Sequence, residues 1–187
     1  MTSQEIIQKL RAGNAVFAAA RAAPVGAVQT IDSKASPIAA IITCSDLTDA
    51  PESIFSAAPG ELMVLRTAGN VISDYGAGTI EYAAGRGVSV VIVLGHTHCG
   101  AVGAARQKAA HHNASFGRPH GQKAIMSEIS RAIHGSKTAL EAVRANVNNS
   151  VNRLMENPEL LELLDDEKID IFKAVYDLET GKVEFFI

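Results

Sequence analysis

The stretch of sequence at residues 89–100, SVVIVLGHTHCG, constrains this chain more than any other. An unbroken β-branched run bounded by glycine is what a strand covered on both faces of a parallel sheet looks like. It stops at Gly95 and runs into His96, His98 and Cys99. In open α/β sheets ligands gather outside the carboxyl ends of the strands, so an imidazole and a thiol stand where chemistry is usually done. One earlier segment matches it. Residues 37–46, PIAAIITCSD, form a second apolar run, and that run ends in Cys44 and Asp46. Neighbouring strands would bring Cys44, Asp46, His96 and Cys99 together.

The rest of the chain supplies the elements such a sheet needs. Residues 62–67 (LMVLRT) read as a strand, Ala68-Gly69-Asn70 as a turn, and residues 79–84 as part of a helix closed by Gly85 and Gly87. Strand, helix, strand, helix, strand is the order of right-handed crossovers in a parallel sheet. A short helix is expected at 53–57. The region 100–136 reads as two helical pieces around a polar loop carrying His111, His112 and His120. Residues 138–155 form a stronger helix, with Leu140, Val143, Val147, Val151 and Leu154 on one face, and a short helix follows at 159–164. Residues 169–178 and 182–187, separated by the turn signal Glu179-Thr180-Gly181, read as a closing hairpin. At the other end, residues 3–23 read as a helix interrupted at Gly13-Asn14, and 22–36 as a connector. That helix has too little beside it in sequence to bury Ile6, Ile7 and Leu10 alone.

With 187 residues, 47% apolar and 20% charged, the chain is long enough for one full core, and a single domain over 1–187 is expected, with 1–36 a helical arm and connector. The net charge of -3 comes from interspersed charges, which gives no footprint for nucleic acid. No apolar run is long enough to cross a bilayer and no signal-peptide pattern is seen, so no membrane partner and a cytoplasmic location are expected. In a reducing compartment, cysteines flanked by His and Asp point to metal binding or catalysis rather than to a disulfide.

Two thiolates and an imidazole suit Zn²⁺, which prefers tetrahedral sulfur and nitrogen ligation. Three protein ligands leave a fourth position. Asp46 is placed either to accept a hydrogen bond from water there or to be the fourth ligand itself, and the two roles exclude each other.

In these motifs the chain resembles the β-class carbonic anhydrases, whose signature is Cys-x-Asp-x-Arg followed by His-x-x-Cys. The likeness extends over Leu10, Gly13, Asn14 and Phe17, PGELMVLRTAGN at 59–70, Glu81-Tyr82, GHTHCGAV, VRANVNNSV at 143–151 and VYDLETGKV at 175–183. It implies an α/β fold with a mostly parallel central sheet in the order 2-1-3-4, an antiparallel edge strand, and flanking helices. It also implies Zn²⁺ held by Cys44, His96 and Cys99, reversible hydration of CO₂ to bicarbonate, and Asp46 orienting the attacking water. A homodimer or dimer-based oligomer, with the N-terminal helices wrapping the partner, follows from the same resemblance.

Three positions depart from the family pattern. Thr48 stands where the family has the Arg that pairs with the Asp. Removing one partner of such a buried pair costs about 3–5 kcal/mol, so Asp46 is expected to turn to the metal and close the site. Ala35 replaces a pocket Gln and Met63 a pocket aromatic, while Tyr82 is retained. Together these changes imply impaired or redirected catalysis. The alternatives are hydrolysis of another small molecule, such as carbonyl sulfide or carbon disulfide, and a non-catalytic binding role. Arg66 is read as a structural carbonyl or ion-pair contact, His98 as a surface residue, and Lys34 as solvated.

Overall fold

The computed structural model describes residues 1–20, 37–110 and 121–187. Ala35, Lys34, His111, His112 and His120 therefore lie outside the described residues. Strands β1 (Ala39–Cys44), β2 (Leu62–Thr67), β3 (Val90–His96), β4 (Asp170–Tyr176) and β5 (Val183–Phe186) form one sheet in the order β2-β1-β3-β4-β5. The first four are parallel and β5 returns antiparallel to β4, the topology expected from the sequence. The β1 and β3 runs are unbroken in apolarity because every residue of both strands is buried. Edge strand β2 is only partly covered.

Helices cover both faces. Against one face lie α1 (Ser3–Ala20) and α2 (Pro51–Ile54), with Ile6, Ile7, Leu10, Ile54 and Phe55 packed on Ile41, Ile92, Leu94 and Tyr176. On the other face α3 (Asp74–Gly85), α6 (Ala139–Met155) and α7 (Pro158–Asp165) cover Ala40, Ile42, Val91 and Val93. At the carboxyl end of the strands α4 (Gly100–Ala110) and α5 (Gln122–Ala132) close a third cluster around Cys44 and Cys99. No helix among the described residues is long and apolar enough to cross a membrane.

Local signals set several boundaries. Helix α6 begins in a capping box, with the Thr138 hydroxyl accepting from the Glu141 N–H and the Glu141 carboxylate accepting from the Thr138 N–H. Asn157 caps α7, with Pro158 at the first helical position. Two helices start earlier than the sequence suggested. Pro51 opens α2, and the Ser73 hydroxyl caps α3 by accepting from the Gly76 N–H, so the helix of which 79–84 are part also takes in the glycines at 76 and 78.

The expected break at Gly13-Asn14 does not occur. Helix α1 is continuous from Ser3 to Ala20 because both residues make tertiary contacts. A Cβ on Gly13 would lie 1.7 Å from the Phe55 carbonyl oxygen, so glycine here permits close approach of α1 to the chain after α2. The buried Asn14 amide donates to the Ile54 carbonyl at 3.1 Å and to the Gly181 carbonyl at 2.9 Å, and its oxygen accepts from the Val183 N–H at 2.9 Å. Ile6, Ile7 and Leu10 of α1 are likewise buried within their own chain, while Val16 is exposed. No partner is needed to cover Ile6, Ile7 and Leu10, contrary to the expectation that the chain has too little beside this helix to bury them.

Asn14→Ala removes all three bonds and strands buried backbone groups, each costing about 1–3 kcal/mol. Urea unfolding should show a loss of roughly 3 kcal/mol or more; a loss below about 1 kcal/mol would mean that α1 is not docked as described.

Candidate metal centre

The register of the sheet brings the site together. Strands β1 and β3 are neighbours, with Thr43 opposite Leu94, so Cys44 at the end of β1 and His96 at the end of β3 emerge at the same level. Asp46 follows in the turn after β1, and Cys99 immediately precedes α4. Ligand atoms of Cys44, Asp46, His96 and Cys99 all lie within 4.8 Å of one another. The two sulfurs are 3.7 Å apart, in free cysteines.

Backbone groups orient each of these side chains. The Gly69 N–H, in the one-turn 3-10 helix after β2 (Ala68–Asn70), donates to Cys44 Sγ at 3.0 Å. The Gly100 N–H, at the start of α4, donates to Asp46 Oδ2 at 2.9 Å, and a Cβ on Gly100 would lie 2.8 Å from that oxygen. His96 Nδ1 lies 2.9 Å from the Thr97 carbonyl and donates to it, since a carbonyl accepts only. Thr97 is fixed in turn by its hydroxyl, which accepts from the Leu178 N–H at 3.0 Å.

The contact between His96 and Asp46 calls for positive charge between the two side chains. With the proton on Nδ1, the Nε2 lone pair of His96 faces Asp46 Oδ1 at 2.8 Å. Two lone pairs at that distance need a proton or a metal ion between them. Two thiols, an imidazole nitrogen and a carboxylate oxygen form a donor set that fits Zn²⁺ in tetrahedral ligation.

Charges in the cluster are coupled. The hydrogen bond from the Cys99 thiol pulls the Cys44 thiol down to about 5, against the opposing effect of burial and with help from His96. The same contact, together with burial, pushes Cys99 far above the usual thiol range. Burial alone would raise Asp46, but bonds with Cys44, the Gly100 N–H and His96 outweigh it and hold the carboxyl below its ordinary value. Burial likewise opposes the charged form of His96, yet the contacts with Cys44, Thr97 and Asp46 raise it.

Thr48 is exposed, and among the described residues no Lys or Arg forms an ion pair with Asp46. Arg66 is engaged elsewhere, its guanidinium donating to the Leu47 carbonyl. The same loop is held from the β4 side, where the Tyr176 hydroxyl donates to Asp49 Oδ2 at 2.6 Å. Met63 pairs with Ala40 along the sheet and packs in the layer under α3, four rungs from Cys44 on the ladder. Tyr82 is 59% exposed on α3, its hydroxyl accepting from Arg86 at 3.4 Å. Neither joins the cluster within the chain. His98 is exposed and adopts a left-handed φ of 57° in the reversal between His96 and Cys99. The sequence reading missed the donors on Gly69 and Gly100, since a backbone N–H leaves no side-chain signal and of the two only Gly100 adjoins a ligand, Cys99.

The family model described as carbonic anhydrase matches residues 39–183. The chain belongs to that family. A carbonic anhydrase from Pseudomonas aeruginosa is 34% identical, over 83% of this chain and 76% of the relative. Among solved structures, a Coccomyxa β-carbonic anhydrase in complex with acetazolamide superposes with a TM-score of 0.69 at 21% identity, covering 98% of this chain and 82% of that one. One of two tetrameric β-carbonic anhydrases from Sordaria macrospora gives 0.66 at 21% identity, covering 81% of each chain. The fold is that of the β class, whose metal is zinc.

In this family member, metal loading should release protons. The Cys44–Cys99 contact favours the thiolate on Cys44 and holds the proton on Cys99, and the contacts of His96 favour its charged form. Ligation needs both thiolates and a neutral ring, so zinc binding should displace about one to two protons per ion and weaken as pH falls. Calorimetry in two buffers of different ionisation enthalpy measures this; no proton release would contradict the assigned charge states.

Proposed function

We propose that this chain is a zinc-dependent carbonic anhydrase that hydrates CO₂ reversibly, CO₂ and H₂O giving bicarbonate and a proton. The observation that carries the reading is the convergence of Cys44, Asp46, His96 and Cys99 donor atoms within 4.8 Å at the carboxyl ends of adjacent strands. Cys44, His96 and Cys99 would hold the ion. Zinc, when bound, acidifies water toward neutrality and so supplies the nucleophile for CO₂.

The chain's own residues shape that step. Thr97 fixes His96 in the tautomer that presents Nε2 inward. Gly100 holds one oxygen of Asp46 and leaves Oδ1 directed at the cluster. From there Oδ1 can accept a hydrogen bond from the attacking water, which aims the remaining oxygen lone pair at the carbon. The same placement supports a second role at rest, with Oδ1 as fourth ligand. Among the described residues nothing charged restrains Asp46 in the way an Arg at position 48 would, and Arg66 is committed to the Leu47 carbonyl. We therefore read Asp46 as the residue that would close a zinc-loaded site at rest, with the Gly100 N–H holding Oδ2 and leaving Oδ1 free to take either role.

A homodimer or dimer-based oligomer acting in the cytoplasm fits the reading. The tetrameric relatives in Sordaria support the oligomer, and two reduced, buried thiols support the compartment. A monomer at micromolar concentration in sedimentation would remove the dimer.

The test is stopped-flow CO₂ hydration on protein of measured zinc content, from about pH 6.5 to 9, with wild type beside Thr48→Arg. The wild type should be active, its rate rising with pH. A charge-assisted bond from Arg to Asp46, worth about 1.5–3 kcal/mol, should raise the neutral-pH rate by about 10- to 100-fold. X-ray absorption should show the carboxylate leaving the first coordination sphere. An inactive wild type with one zinc per chain would overturn the activity, and an unchanged Thr48→Arg would overturn the closed site.

A further inference from the structure

The strongest unexplained feature is a set of three buried polar side chains behind the Cys44 sulfur. The turn at Ala68–Asn70 runs through two successive left-handed residues, Gly69 at φ 63° and Asn70 at φ 48°. Glycine meets the first at no steric cost, but Asn70 has to be held there. Gly69 also has no room for a side chain, since a Cβ would lie 2.6 Å from Ile129 Cδ1.

Helix α6 does the holding. Asn146 Nδ2 donates to the Gly69 carbonyl at 2.6 Å. One turn later the Ser150 hydroxyl donates to the Asn70 carbonyl at 2.8 Å and accepts from Asn70 Nδ2 at 3.1 Å. Asn146 and Ser150 are 1% and 0% exposed. Between them they hold both carbonyls that follow the Gly69 N–H, the donor to Cys44.

A second observation concerns cost. Asn146 Oδ1 is buried and has no hydrogen-bond partner among the described residues. A leucine of similar shape would remove that stranded oxygen but leave the Gly69 carbonyl without its donor, so what favours asparagine here is the bond to Gly69 rather than packing. What asparagine supplies is the donor aimed at Gly69.

We propose that Asn146, with Ser150 behind it, is a positioning residue for the metal centre, holding the Gly69 turn so that its N–H stays directed at the Cys44 sulfur. This rests on the reading of Cys44 as a zinc ligand. Groups that orient a ligand in this way affect metal affinity by about 10- to 100-fold. The device also explains how one helix serves both strands of the site. Val143 and Val147 of α6 lie 2.9 and 2.7 Å from where a Cβ on Gly95 would be, beside His96, while Asn146 in between reaches the turn beside Cys44.

The experiment uses the full chain and compares wild type, Asn146→Leu, Ser150→Ala and Val151→Ala. Zinc affinity is read by chelator competition, the sulfur-to-metal charge-transfer bands on loading with Co²⁺, and the melting temperature without metal. Asn146→Leu should bind zinc roughly 10- to 100-fold more weakly and shift the Co²⁺ bands, with Ser150→Ala changing in the same direction. Trading one stranded oxygen for another should leave the metal-free melting temperature of Asn146→Leu within about 4 °C of wild type. Val151→Ala thins the α6 packing away from the turn, and should lower the melting temperature while keeping zinc affinity within about 3-fold. Asn146→Leu and Ser150→Ala both binding like wild type would overturn the proposal. So would a loss in Val151→Ala as large as that in Asn146→Leu, which would make the effect one of general stability. A wild type that takes no zinc would overturn the zinc reading itself, and the two failures are distinguished by the wild-type titration.

Discussion

The parallel ladder between β1 and β3 is the constraint on which the metal centre depends. Its rungs run from Ala39 opposite Val90 to Thr43 opposite Leu94, and both strands are buried along their length. A slip of one residue would turn Cys44 from the face it shares with Ala40 and Ile42 to the face carrying Ile41, and the four donors would no longer meet. The ladder is fixed because both faces are covered by helices. A shifted register would press Thr43 and the site residues into apolar layers. Gly95 tightens this further, since it lets the valines of α6 reach the backbone one residue before His96.

Asp46 shows how the described residues manage charge at the site without an arginine on the carboxylate. Its neighbours are the backbone donor at the head of α4, the imidazole of His96 and the thiol pair. Partial positive charge at a helix start stabilises a carboxylate more weakly than a guanidinium does, and it is fixed in direction. The loop is restrained from outside, by Arg66 on the Leu47 carbonyl and by the Tyr176 hydroxyl on Asp49. The backbone of the loop is therefore anchored on both sides, while the carboxylate itself keeps a choice of partners.

Much of this was legible in the sequence, because strands covered on both faces write continuous apolar runs and a sharp change to His, Cys and Asp marks their ends. The sheet order came from the resemblance, and the donor cluster from two strand ends alike in composition. The failures have a common physical origin. Gly13 and Asn14 look like helix breakers locally, but their contacts are with Phe55, Gly181 and Val183, far along the chain. The glycines at 76 and 78 hid the start of α3 for the same reason, since a cap at Ser73 outweighs their low propensity. Backbone donors such as the Gly69 N–H leave no side-chain signature. The Asn146–Ser150 pair reads in sequence as two polar interruptions of an amphipathic helix, and only the fold shows what lies opposite them.

The bond from the Val183 N–H to Asn14 joins residues 169 positions apart. During synthesis, chains emerge from the amino end and early segments must wait for late partners. Helix α1 is thus seated late, because one of its anchors lies in β5. Until then Ile6, Ile7 and Leu10 have no finished surface to cover them. Before β5 is in place, α1 therefore offers an apolar face with part of its docking surface missing, and partly folded chains would adhere to one another there.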